Sequence, residues 1–546
     1  MNRQALRGIR LLGLAIGLTL TARAETLTYT LSPQFDRGVI DVELEWQTRG
    51  RKRSAVFVTP SAGQIDDIAA MLTNMRTSGG SFRREGSLWG CNHREGATLR
   101  FSYTVSPRTR ELEWDNTYAP VTTRNFFMGL GKTFLLTPSD EPGTPADFQV
   151  ILRWKLPAGS DAACSWGVGR HVGDTVRAED VRDSAYLAGE LEIAQIQRDG
   201  RRVTVAMPDR FAFSAKSFAE TAARIVNAEA TFMMEREFPE IVITAVPVGD
   251  PLPAGSSRLS GTGLYHGFAL WVAPQSELND AVEHLFAHEM FHYWNGRLLQ
   301  AAMPDREVYW FVEGFTDYYA LRILFESGYW SAETYAKWIN KHLREYAANP
   351  AKNATNGEIR DRYWTDRATY GEAPYQRGLM LGLRWRVMSR SQGKPDGLDD
   401  WFRKLIDRGR AGMKLTDREA RSAGVETLGA WFSSEFDRYV TRADTVTVPT
   451  DALAPKLTGE ERVVYEFEPG FDWAKSVQER RVVGLKAGSA AATAGLRDGD
   501  ALSGWRLRSD PDEEVVLQVK RGGRSVEVRF YPRGRGRSAV VFVPAK

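Results

Sequence analysis

The chain has 546 residues, of which 42% are hydrophobic, 26% charged and 11% aromatic, and its formal net charge is +3. That length predicts several domains, and the composition excludes long disorder, a collagen-like repeat and a membrane bundle. The first 24 residues hold four Arg and no acid, so the remainder carries −1 and lacks the electrostatic footprint of a nucleic-acid binder.

In chain order, residues 1–24 read as a cleavable signal peptide. Arg3, Arg7 and Arg10 precede an apolar run over 11–20, and Ala22-Arg23-Ala24 puts small residues where a signal peptidase reads. The run is too short to span a bilayer, so no membrane anchor is expected after cleavage, and the expected location is secreted, in a bacterial periplasm. Residues 25–205 carry short alternating or β-branched runs at 26–32, 42–47, 55–59, 98–105 and 148–154, which predict a β-rich N-terminal domain. Its two cysteines, Cys91 and Cys164, are open to pairing in an exported chain or to remaining as buried thiols, and neither has a metal-binding spacing.

Residues 206–445 change character. A helical period over 217–238 is followed by strand-like runs at 240–248 and 263–272. Helical patterns then fill 278–294, 309–326, 332–348, 375–389 and 428–442. Residues 446–460, with Pro449 and Pro455, read as a linker, and 461–546 returns to short strands. The basic run 533–537 reads as a turn between the last two strands. The fold class is therefore multidomain α+β.

The chemistry concentrates in His288-Glu289-Met290-Phe291-His292. Residues four apart share a helix face, so both imidazoles reach one ion, and Glu289 faces the position left for water. Ser276 or Asn279 can cap that helix. Histidine is scarce, with seven in the chain, so this clustering is unlike chance. Glu313 opens the next helix and completes a His₂Glu set, which favours one zinc ion. Asp317, one turn on, can accept a hydrogen bond from a ligand histidine and set its tautomer. His284 shares the face of His288 but reads as a supporting group, since a fourth protein ligand would close the metal.

Four segments resemble gluzincin metallopeptidases, most closely the glycyl-aminopeptidase family with a C-terminal PDZ domain (metallopeptidase family sixty-one). They are His288-Glu289-Met290-Phe291-His292-Tyr293-Trp294-Asn295, Glu313-Gly314-Phe315-Thr316-Asp317-Tyr318-Tyr319, Pro374-Tyr375-Gln376-Arg377-Gly378 and the GSAAATAGLRDGD stretch at 488–500. The resemblance implies a thermolysin-like catalytic domain at 206–445 and a PDZ domain at 461–546 that takes a peptide C-terminus. It implies peptide or protein substrates and cleavage after small N-terminal residues, Gly or Ala. It also makes Tyr375 a donor to the transition state and places Gly263, Tyr265 and His266 on the substrate-binding strand.

One departure stands out. Tyr265 occupies the place of the family's amine-anchoring Glu, and a neutral phenol does not hold an ammonium group as a carboxylate does. An endopeptidase or a dipeptide-releasing enzyme is therefore the alternative. A PDZ-led binding or chaperone-like protein is the alternative of another class.

Overall fold

The computed structural model describes residues 24–545 apart from 64, 108–110, 141, 210, 251–257 and 508. The predicted signal segment, Ala24 excepted, lies outside the described residues.

Strict alternation makes the N-terminal sheets. In Glu25–Gln34 every other residue is buried, so Leu27, Tyr29 and Leu31 face a core while their neighbours face outward. This strand sits inside a six-stranded sheet, parallel to Asp147–Trp154 and antiparallel to Val39–Gln47. Two smaller sheets, of five and four strands, close over it. The phenols of Tyr29 and Tyr103 donate to Leu136 O (2.8 Å) and Phe134 O (3.1 Å), which fastens the crossing loop to the sheet. Cys91 and Cys164 are both buried free thiols.

The second region begins earlier than the sequence pattern suggests. Glu192–Arg198 and Arg201–Met207 form a hairpin, and its second strand pairs in parallel with Ile241–Pro247. They thus belong to the sheet beside the site, not to the N-terminal β region. That five-stranded sheet continues through Gly267–Val272 to Leu259–Leu264, which lies at its edge. The predicted single strand over 263–272 is in fact a hairpin that turns at Tyr265 and His266, where His266 has φ +43°. Helix Ala215–Phe232, capped by Ser214, covers one face with Phe218, Ala222 and Val226.

Beyond the sheet the chain is helical, and no described helix is long and apolar enough to cross a membrane. Asp280–Phe291, Gly314–Glu326, Ala332–Ala348 and Ala373–Ser391 surround an apolar core shared with the sheet. Asn279 caps the first of these by accepting from Ala281 N and Val282 N, whereas Ser276 bonds Ala273 O instead.

Residues 446–460 do not form a free tether. Val446, Val448, Ala452, Leu453 and Leu457 are buried in the helical core, because their apolar side chains fill its outer wall. A long strand, Leu457–Phe467, pairs with Arg533–Pro544, and between them lie the sheet of Ala501–Arg506, Val515–Arg521 and Arg524–Phe530 and two short helices. The basic run 533–537 is the start of that last strand rather than a turn. Gly534 and Gly536 let it pass close to Glu466 and Val463 on its partner.

Candidate metal centre

Three helices and one strand edge meet at the motif. His288 and Glu289 lie in Asp280–Phe291, and His292 is its last, capping residue. Below it, Asn295 is fully buried and donates from Nδ2 to Phe311 O, Val312 O and Thr316 Oγ1 at 3.0, 3.0 and 3.1 Å. This side chain ties the motif helix to the segment that carries Glu313. The signal for it was present, since Asn295 closes the HExxHxxN run, but a structural role is not visible from spacing alone.

Each ligand histidine is oriented from behind. His288 Nδ1 bonds Asp317 Oδ1 at 2.8 Å, and His292 Nδ1 bonds Asn295 O at 2.9 Å. With acceptors on both Nδ1 atoms, the neutral rings carry lone pairs on Nε2. Those two nitrogens face each other at 3.1 Å, and Glu313 Oε2 stands 3.4 and 3.5 Å from them. Two lone pairs at that distance repel unless a proton or a cation lies between them, so the donor set fits a metal ion with His288, His292 and Glu313 as ligands. The close donors also bear on one another's charge. Burial alone would raise Glu313, yet the imidazoles of His292 and His288 hold its carboxyl well below the usual range. Burial would lower His288, but Asp317 and Glu313 push it well above an ordinary histidine.

Glu289 faces the edge strand. Its Oε2 accepts from Gly263 N at 3.0 Å, and a Cβ at Gly263 would meet Glu289 O at 3.1 Å. Glycine there allows the strand to approach the motif helix. Tyr375 enters from Ala373–Ser391, and its ring stacks on His288 with centroids 5.8 Å apart. Burial, then Glu313, Tyr363 and Glu289, push its phenol well up, so it stays protonated and able to donate.

The cleft over these groups has a volume of about 1860 Å³ and is lined by Gly263, Leu264, His266, Glu289 and Tyr375 among others. Tyr265 is turned away from it. Its ring packs into the N-terminal core, stacked on His266 at 3.9 Å with the Arg297 guanidinium 4.4 Å from its centroid. The expectation that Tyr265 contacts substrate is therefore corrected: the hairpin turn points its side chain behind the wall, while its N–H donates to Asp183 O at 2.7 Å. His266 does line the cleft, and burial together with Arg297 lowers its pKa. Tyr118, Lys132 and Asp183 of the N-terminal region also line it, and sequence reasoning missed all three. No motif marks them, because only folding brings that region to the site.

Residues 281–366 match the family model for M61 glycyl aminopeptidases. The centre is that of a zinc-dependent metallopeptidase. The chain resembles an aminopeptidase N family protein from Idiomarina loihiensis at a TM-score of 0.67 and 15% identity, over 95% of this chain and 98% of that one. It also resembles a point mutant of an M1 zinc metallopeptidase from Deinococcus radiodurans bound to a Tyr-Ser-Ala substrate, at a TM-score of 0.52 and 15% identity over 78% and 94%. These likenesses establish a shared multidomain α+β fold, with a β-rich N-terminal region followed by a helical peptidase region. No curated protein sequence matches the chain.

Proposed function

We propose that this metallopeptidase is an exported aminopeptidase that removes small N-terminal residues such as Gly or Ala from peptides. The observation that carries this reading is the tie between the end of the edge strand and the N-terminal region. The edge strand Leu259–Leu264 offers unpaired backbone for a peptide to add to. At its far end Tyr265 N is bonded to Asp183 O, and Arg297 is paired with Asp180 at 2.8 Å. A peptide laid on that edge ends against the N-terminal region, as an exopeptidase requires.

Asp183 supplies there the carboxylate that Tyr265 does not. Burial pushes its pKa up against the pull of Lys132 and Arg297, so a bound ammonium group is a partner that favours its charged form. His288, His292 and Glu313 would hold the zinc ion, which when bound would supply Lewis acidity at the scissile carbonyl. Glu289 takes a proton from the attacking water on a carboxylate oxygen and returns it to the leaving amine. Tyr375 donates its O–H to the developing oxyanion, a contribution of about 3–4 kcal/mol for such donors.

Export rests on the signal-like residues 1–24, with the bacterial periplasm as destination. The likeness of 488–500 to a PDZ signature supports reading 461–546 as a peptide-binding module, with a peptide C-terminus as its ligand.

The test compares matched peptides with free and acetylated N-termini by mass spectrometry, using zinc-loaded protein. Stepwise loss from the free peptides alone, weakened in KM by Asp183→Asn, is the expected result. Internal cuts in both sets would replace this reading with an endopeptidase. No cutting at all would favour a binding role led by the C-terminal region.

A further inference from the structure

We propose that a second cation site lies beside the first, formed by His284, Asp317 and His342, and that it takes a divalent transition metal such as zinc. One ligand atom of each residue lies within 4.8 Å of the others. The three arrive on separate helices: Asp280–Phe291, Gly314–Glu326 and Ala332–Ala348. An independent observation points to a ligand. His342 is only 8% exposed, and its Nε2 is buried without a hydrogen-bond partner among the described residues. A bare imidazole nitrogen in an interior is costly, and a cation is a partner it accepts.

The donor chemistry narrows the choice. Two imidazoles and one carboxylate suit zinc, cobalt, nickel or copper, and offer too few oxygens for calcium or magnesium. Burial lowers the His342 pKa to about 4, so its ring is neutral at pH 7. Lys341 lines this wall of the cleft together with Asp317, Glu345 and Glu372. Burial raises the carboxyls of Glu345 and Glu372, so a bound cation is a partner that favours their charged forms. The Trp338 ring, 4.4 Å from His284, shields one side.

Asp317 links the two sites. Its Oδ1 is bonded both to His288 Nδ1, at 2.8 Å, and to His284 Nε2, at 3.1 Å. A cation between His284 and Asp317 displaces the proton on His284 Nε2 and draws on the carboxylate that orients His288.

The experiment titrates metal-free full-length protein with zinc and counts bound ions by plasma mass spectrometry at several free-zinc levels. Two ions per chain are expected, the second held more weakly, and one ion in His342→Gln and His284→Gln. Melting of the metal-free variants checks that they fold. A measurement that needs no variant follows diethyl pyrocarbonate labelling, where the second equivalent of zinc should protect His284 and His342. Saturation of the native protein at one ion, two ions retained in either folded variant, or labelling unchanged by the second equivalent would each overturn the proposal.

Discussion

Beneath the motif helix, Glu229 is a carboxyl group with nothing to bond. It is fully buried, and neither oxygen has a partner among the described residues. Desolvation pushes its pKa well above 4.5, with His288 opposing, so the folded protein keeps it neutral. The unfolded chain releases that proton near pH 4.5, and the folded one holds it to higher pH. The folded state thus binds more protons above that pH, and its stability falls as pH rises. Glu229→Gln keeps the shape and removes the linkage. Its melting temperature should exceed that of the native protein at pH 7–8, with the difference shrinking towards pH 4.5, and a lower melting temperature at pH 8 would refute this account. Glu289 has a different place, facing the edge strand through its bond from Gly263 N. Glu289→Gln should retain zinc by mass spectrometry and lose turnover, because only the proton acceptor is removed.

At the scale of elements, the site depends on two helices that touch backbone to backbone. A Cβ on Gly314 would lie 2.5 Å from Gly378 Cα, and one on Gly378 would lie 1.9 Å from Trp310 O. Only hydrogen fits at this crossing, which holds the segment bearing Glu313 against the helix bearing Tyr375. Gly378→Ala should force the helices apart, costing about 1–3 kcal/mol or more, and should lower both zinc occupancy and kcat. Thermal melts and metal counts on the purified variant check it. Sequence patterns resolve some of these elements well. The helix Ala332–Ala348 is legible end to end, since Ser331 caps an amphipathic run. The strand Thr98–Val105 is equally plain from its alternation. The hairpin at Tyr265 was not legible, because an apolar text runs through it with no Gly-Pro or Asn-Gly signal at the turn. The helix Gly397–Arg410 carries a plain helical period in Leu398, Trp401, Phe402, Leu405 and Ile406, whereas Asp417–Leu428 buries only Ala420, Ala423, Gly424 and Leu428 and leaves little apolar pattern to read. Within the site, the ligands and Glu289 stand in a local motif and could be read. Asp183, Tyr118 and His342 reach the cleft only through tertiary packing, so spacing carries no trace of them.

For the molecule as a whole, the helix Ala332–Ala348 is a shared wall. One side presents Trp338, Lys341 and His342 to the cleft. Elsewhere it is bound to the C-terminal region. Asn340 Nδ2 donates to Phe542 O at 2.8 Å, and Phe542 N donates to Asn340 Oδ1 at 2.7 Å. Arg344 adds pairs to Asp510 and Asp512 at 3.4 and 3.6 Å. Asn340→Ala should cost about 1–3 kcal/mol, since it strands both backbone groups of a buried residue. Limited proteolysis should then cut the final strand before the helical core, and equal resistance in the variant would show that the clasp contributes little.

The clasp also orders events in time. Asn340 and Phe542 are 202 residues apart, and every residue of the metal centre precedes the strand that covers this helix. During synthesis the ligands are therefore complete while one wall of the cleft still lacks its backing. The helix Ala332–Ala348 is therefore backed only once residues 533–544 have been made. The last strand to be made is thus the one that backs the wall carrying Trp338, Lys341 and His342.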